Sequence, residues 1–236
     1  MVKAARSGSR VSEVVSRLRE DIFENRLQPG EAIREMVIAR ELGVSQATVR
    51  DALQRLEHAG LVTRKSNLGT TVTRLTPKDV RERVSLRATL EVMAAQQAAL
   101  LMRQADFEEL ELRLDKLGRA IQRDGYHEAA QADLELHRYV WQCSGNDTLF
   151  RLLDLVTVPL FAFVSIMRSQ GLQKLAAVVA EHRPLIEALR SKDPARIQTA
   201  FGKNATSFYE PFLGECTERA AAEAFGFLGT AADFGG

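Results

Sequence analysis

Cysteine is nearly absent from this 236-residue chain: Cys143 and Cys216 are the only two. That is too few for a disulfide framework and fits a reducing cytosol, so the expected location is cytoplasmic. Aromatic residues are also scarce, at 6% with one tryptophan. No apolar run reaches the ~18 to 20 residues of a membrane span, which argues against a membrane partner. Lys3, Arg6 and Arg10 near the start are followed by no apolar segment, so no signal peptide is expected. The Glu-x-x-His pairs of two-metal bundles are missing, as are a Gly-rich phosphate loop, a Gly-x-Ser-x-Gly elbow and a Cys-x-x-Cys pair. Strong charge of one sign is lacking too, the net being +1. Common enzyme signatures are thereby excluded, and no enzyme is expected.

The near-zero net charge hides an asymmetry. Residues 1–75 carry 13 Lys and Arg against 9 Asp and Glu, and the remainder carries 19 against 22. A basic first part joined to a mildly acidic larger one suits a DNA reader with a separate regulatory body.

The richest stretch lies between Leu27 and Leu68. A first helix is predicted from about Arg10 to Arg26, with Val11, Val14, Val15, Leu18, Ile22 and Phe23 on one face. Pro29-Gly30 is expected to end it. A short helix follows from about Arg34 to Leu42, closed by Gly43. Ser45 is a good N-cap for the next helix, whose inner face is Val49, Ala52, Leu53 and Leu56 and which Gly60 stops. Two β-rich runs, Leu61–Lys65 and Thr70–Thr73, flank the turn residues Ser66, Asn67, Leu68 and Gly69. The order describes a helix-turn-helix at about 35–54 followed by a two-stranded wing, a module that lays one helix in the major groove of DNA.

Candidate DNA contacts follow from that placement. Ser45, Gln46 and Thr48 project from the first turn of the reading helix, where side chains meet base edges. Gln46 can pair bidentately with adenine, and Ser45 and Thr48 can bond base or phosphate. Arg50, one turn on, can reach phosphate or guanine. Arg34, Lys65 and Gly69 complete the set, the last two in the wing.

Beyond Leu75-Thr76-Pro77-Lys78 only helical stripes are found. Phe107, Leu110, Leu114, Leu117 and Ile121 form one. Leu175, Val178, Val179, His182, Leu185, Ile186 and Leu189 form another. Asp193-Pro194 opens a helix with Ile197, Ala200, Phe201 and Phe208 inward. Pro159 is expected to break or kink its segment, and Pro184 to kink its own. The fold class expected is mainly α: a winged helix-turn-helix at 8–75, an all-helical bundle of about six to seven helices at 79–225, and a flexible tail at 226–236.

Polar groups interrupt the inward stripes of the bundle. Asp133 and His137, four apart, share a helix face. His182 lies in an apolar seam, and Asn204 continues the stripe of the last helix. An unpaired group there costs roughly 1 to 3 kcal/mol, and more for a carboxylate. Either each finds a local partner, or they converge on one ion or ligand; Asp and neutral His suit zinc, nickel or manganese. Arg87 either faces the cavity and pairs with a ligand carboxylate or forms a surface ion pair with Glu91. Cys143, with His137 and His182 as conceivable neighbours, reads as a buried structural thiol.

Two resemblances sharpen these readings. Residues Ser12 to Val72 resemble the winged helix of the GntR family of bacterial regulators through Leu42-Gly43-Val44-Ser45, Val49-Arg50-Asp51-Ala52-Leu53, Gly60-Leu61-Val62 and Gly69-Thr70-Thr71-Val72. The family usually has arginine where Gln46 stands. The resemblance implies a homodimer on palindromic double-stranded operator DNA. Residues from about Asp79 to Leu213 resemble the FCD effector domain through Leu86-Arg87 with Leu90-Glu91, Asp133-x-x-x-His137, Ser144-Gly145-Asn146, and Glu181-His182 with Ile186-Glu187-Ala188-Leu189. It implies a divalent metal on one Asp and three His, helping to seat a small organic or sugar acid. Asp133, His137 and His182 match, and Asn204 stands in place of the third His. The implied effector contacts are Arg87, Asp133, His137, His182 and Asn204. The expected function is a ligand-responsive transcriptional regulator, a repressor of a catabolic or transport operon. The alternative is a metal-dependent helical-bundle enzyme with a DNA-binding appendage.

Overall fold

The computed structural model describes residues 2–65, 69–169 and 178–209, with backbone alone for 2–9 and 168–169. The chain divides into two compact units between Arg74 and Leu75.

The first unit holds α1 (Val2–Phe23), β1 (Ala32–Ile33), α2 (Glu35–Glu41), α3 (Gln46–His58), β2 (Val62–Lys65) and β3 (Gly69–Val72). Its core forms where Val11, Val14, Leu18, Ile22 and Phe23 of α1 meet Val49, Ala52, Leu53 and Leu56 of α3, all buried. Their spacing is the helical stripe seen in the sequence.

The first helix starts at Val2, ahead of the expected Arg10, and two further details depart from expectation. The first helix stops at Phe23, before Pro29, because Asn25 takes a left-handed conformation (φ 59°). Asparagine tolerates that region and can close a helix as glycine does. Gly30, at φ 86°, instead aims its N–H at the Val72 carbonyl (2.9 Å), while the Val72 N–H reaches the Glu31 carbonyl (2.9 Å). The Pro-Gly turn therefore delivers a short additional strand to the wing. The sheet is three-stranded and antiparallel, in the order β1-β3-β2, with Ala32 opposite Thr71 and Val62 opposite Val72.

The second unit holds α4 (Pro77–Leu101), α5 (Gln104–Gln122), α6 (Tyr126–Cys143), α7 (Asp147–Ser169), α8 (Val178–Ser191) and α9 (Pro194–Ser207). These six helices among the described residues match the bundle expected. Thr76 caps α4 through a reciprocal box with Asp79, and the Asp193 side chain accepts from the Ala195 and Arg196 amides to open α9. Phe107, Leu110, Leu114 and Leu117 of α5 pack with Leu136 and Val140 of α6, Leu185 and Leu189 of α8, and Ile197 and Phe201 of α9. Pro159 and Pro184 lie inside α7 and α8, and neither breaks its helix. Leu175 and the tail at 226–236 lie outside the described residues.

Residues Asp147–Met167 of α7 are long and apolar enough to cross a membrane, which the sequence reading did not expect. Their most apolar window is 72% buried inside the bundle, so the same composition serves a core helix.

Candidate DNA interface and buried charged site

Ser45 caps α3, its Oγ accepting from the Thr48 amide (3.2 Å) and lying 2.9 Å from Thr48 Oγ1. Its hydroxyl is thus engaged in building the helix start. Gln46 and Arg50 are exposed on α3, and Thr48 is half-buried. Both exposed side chains are held by a residue missed in the sequence, Glu35 of α2. Its Oε2 accepts from Arg50 Nε (2.8 Å) and from Gln46 Nε2 (3.2 Å). The spacings of 15 and 11 residues cross the helix-turn-helix bend, so no rule of helical periodicity could find them. Arg34 is exposed at the N-cap of α2. Lys65 and Gly69 face each other across β2 and β3, both exposed, with Gly69 at φ 83°. The residues of the turn between them, 66–68, lie outside the described set.

In the second unit α4, α6 and α8 bring together five polar side chains that are all buried: Arg87, Glu91, Asp133, His137 and His182. They line or adjoin a cavity of about 30 Å³ that is also lined by Phe161, Val164 and Asn204. That is room for about one water molecule or ion. Asn204 is half-buried on α9 and reaches the same cavity.

Asp133 Oδ1 lies 2.8 Å from His182 Nε2 and 3.5 Å from His137 Nε2, and the two Nε2 atoms are 3.2 Å apart. Donors bound at ~2.1 Å to one metal stand roughly 3.0 to 3.4 Å from each other, so this triangle has the size a single divalent ion requires. The chemistry of the donors fits as well. His182 Nδ1 sits 2.7 Å from the Val178 carbonyl, which can only accept, so Nδ1 carries the proton and Nε2 is left to face Asp133. Burial alone would lower the His182 pKa, yet the Asp133 charge and the hydrogen bonds to Asp133 and Val178 raise it above its ordinary value.

The ion pair proposed for the surface is buried. Arg87 is 4% and Glu91 0% exposed, and Arg87 Nε donates to Glu91 Oε1 at 3.1 Å. Arg87 lines the cavity at the same time, its guanidinium 4.9 Å from the Phe161 ring centre. Burial would push the Glu91 carboxyl up, but Arg87 and His137 bring it down to about 2. In the sequence Glu91 stood out as the i+4 partner of Arg87 and within the Leu90-Glu91 string, with no role at the site. Cys143 is half-buried and not beside the histidines; its surroundings are Tyr139 and Asp106, and burial raises its thiol pKa. Cys216 lies outside the described residues.

A winged helix followed in one chain by a helical bundle with a buried charged cavity defines a class, the two-domain DNA-binding regulators. Residues 10–72 match the model of the bacterial regulatory proteins of the gntR family, and residues 82–203 match the FCD domain. The chain belongs to the GntR family, in its FCD branch. It is 31% identical over 182 residues to the HTH-type transcriptional regulator YdhC of Bacillus subtilis, spanning 75% of this chain and 80% of that one. A probable D-xylose utilization operon transcriptional repressor of Paenarthrobacter nicotinovorans is 28% identical, over 80% of this chain and 82% of its own. Among solved structures, E. coli McbR/YncC shares the fold with a TM-score of 0.75 at 19% identity, covering 86% of this chain and 96% of that one. The family and these relatives are transcriptional regulators, not enzymes. GntR regulators bind operator DNA, FCD domains bind small molecules and dimerise, and some FCD domains bind metal.

Proposed function

We propose that this protein is a cytoplasmic, homodimeric repressor of a catabolic or transport operon, released from a palindromic operator by a small carboxylate. Arg34, Ser45, Gln46, Thr48, Arg50, Lys65 and Gly69 form its DNA-reading surface. The single observation that carries the effector reading is the buried set Arg87, Asp133, His137 and His182 around one cavity. Buried charges are costly, and an apolar core of similar volume is often as stable, so a structural bundle has no use for them.

Asp133, His137 and His182 would hold a divalent metal of the zinc, nickel or manganese kind, with Asn204 as a weaker oxygen donor in place of imidazole. Bound there, the ion supplies a positive centre for a carboxylate. Arg87 supplies a second, its guanidinium 4.9 Å from the Phe161 ring centre. The cavity itself admits about one ion or water, so an organic or sugar acid would extend from it between α8 and α9. The groove of about 700 Å³ between those helices shares Glu181, Asn204 and Ser207 with the cavity wall. A ligand that prefers one arrangement of the bundle shifts the population toward it. A coupling of about 1 to 3 kcal/mol changes DNA affinity about 5- to 150-fold.

The dimer surface is the outer face of α4 and α7. Helix α4 is apolar on two sides: Val84, Ala94, Ala95 and Ala98 face inward, while Leu86, Met93 and Leu100, seven apart, are exposed. Leu152 and Leu155 continue the patch on α7, which Arg83 ties to α4 through the Leu155 carbonyl. An exposed row of large apolar side chains on one helix face suits a partner surface.

The test is fluorescence anisotropy of the dimer on its own promoter DNA, titrated with a panel of organic and sugar acids with and without zinc. Release by one acid in the wild type, absent in His182→Ala with DNA binding retained, is the expected result. Release that survives the substitution unchanged would remove this cavity as the effector site.

A further inference from the structure

We propose that Glu91 is a positioning residue for His137, held in place by Arg87, and that it presents His137 Nε2 to the metal. This rests on the metal reading of the same cavity. A histidine gives a metal its Nε2 lone pair only if the proton sits on Nδ1, and that proton needs an acceptor. His182 has the Val178 carbonyl, 2.7 Å away on its own helix. His137 has nothing comparable on α6. Its Nδ1 faces Glu91 Oε1 across to α4, at 3.3 Å.

The Nδ1–Oε1 approach is close without being a formed hydrogen bond. His137 Nδ1 and Glu91 Oε2 are both buried and make no hydrogen bond among the described residues. With an ion bound at Nε2, the Nδ1–H of His137 would be the group presented to the Glu91 carboxylate. Meanwhile Arg87 Nε binds Glu91 Oε1 one helical turn away (3.1 Å), which fixes the carboxylate and balances its charge. A carboxylate behind a metal-bound histidine both orients the ring and strengthens it as a donor.

The experiment is a Co²⁺ titration of full-length, chelator-stripped protein, followed by visible absorption and by zinc competition. Removing one partner alone would leave a buried charge and could unfold the bundle, so the variants are paired. Arg87→Met with Glu91→Met replaces the ion pair by hydrocarbon. Arg87→Met with Glu91→Gln keeps a neutral acceptor for Nδ1–H. The first is expected to stay folded by circular dichroism, to lose about 10- to 100-fold in metal affinity and to change its Co²⁺ spectrum. The second should regain most of the affinity, a rescue that packing alone would not produce. Wild-type affinity and spectrum in the Met/Met variant overturn the proposal while leaving the metal site standing. Failure of the wild type to bind Co²⁺ or zinc overturns the metal reading and this inference with it.

Discussion

Arg50 on the reading helix donates its Nε to Glu35 on the preceding helix, at 2.8 Å. The bond uses one edge of the guanidinium, and the side chain remains 57% exposed. A pair so open to solvent adds little to stability, and its effect is to narrow where Arg50 can point. Gln46 shares the same carboxylate, so one acidic residue orders two of the side chains expected to meet DNA.

Arg50→Ala should therefore weaken operator binding by about 1 to 3 kcal/mol, the range of a lost base or phosphate contact. Thermal stability should change by less than about 0.5 kcal/mol, because an exposed pair is all that is lost. Anisotropy on operator DNA beside a thermal melt separates the two. Unchanged affinity rules out the contact.

Asn204→His should tighten metal binding. Asn204 lines the cavity beside the Asp133, His137 and His182 donors, and imidazole is the stronger ligand for zinc or nickel. Zinc competition with a chromophoric chelator is the measurement. Equal or weaker binding than the wild type would place Asn204 outside the metal's reach.

The Asp133–His182 pair predicts how the metal-free protein responds to pH. His182 has its pKa raised above 6.5 by folding, so the folded chain holds the proton more tightly than the unfolded chain. The resulting stabilisation is complete below about 6.5 and is lost as pH rises through the folded value. In urea denaturation, the advantage of wild type over His182→Gln should shrink from about pH 6 to pH 9. A constant difference would mean that the charged pair contributes nothing.

Met93→Glu should split the dimer, since it places a charge in the middle of the Leu86, Met93, Leu100 row. Leu112→Glu, on the exposed Leu112 of α5, outside that row, should leave it intact. Sedimentation equilibrium reads both. The monomer should also bind the palindrome far more weakly, because its two half-sites are no longer engaged together. A Met93→Glu protein that sediments as the wild-type dimer moves the interface elsewhere.

Much of this molecule is legible in the residues themselves. The stripes Val11-Val14-Leu18-Ile22 and Val49-Ala52-Leu53-Leu56 specify α1 and α3, because a helical period places apolar residues on one side whatever they later pack against. The Ser45 cap, Gly43 and the Asp193-Pro194 start are local chemistry, decided within a few residues. Even Asp133 and His137 could be paired from their spacing, since four residues make one turn.

What the tertiary structure alone decided is everything that joins distant elements. The strand Ala32–Ile33 is two residues long, too short for a period, and exists because β3 offers it an edge. Glu35 meets Arg50 and Gln46 only because the bend between α2 and α3 folds them together. Glu91 becomes a partner of His137, and Arg87 a buried cation, only when α4 packs against α6 and water is excluded. Local order follows from the period and the caps along the chain; the charged cavity follows from which helix faces which, and that is settled by the packing of the whole bundle.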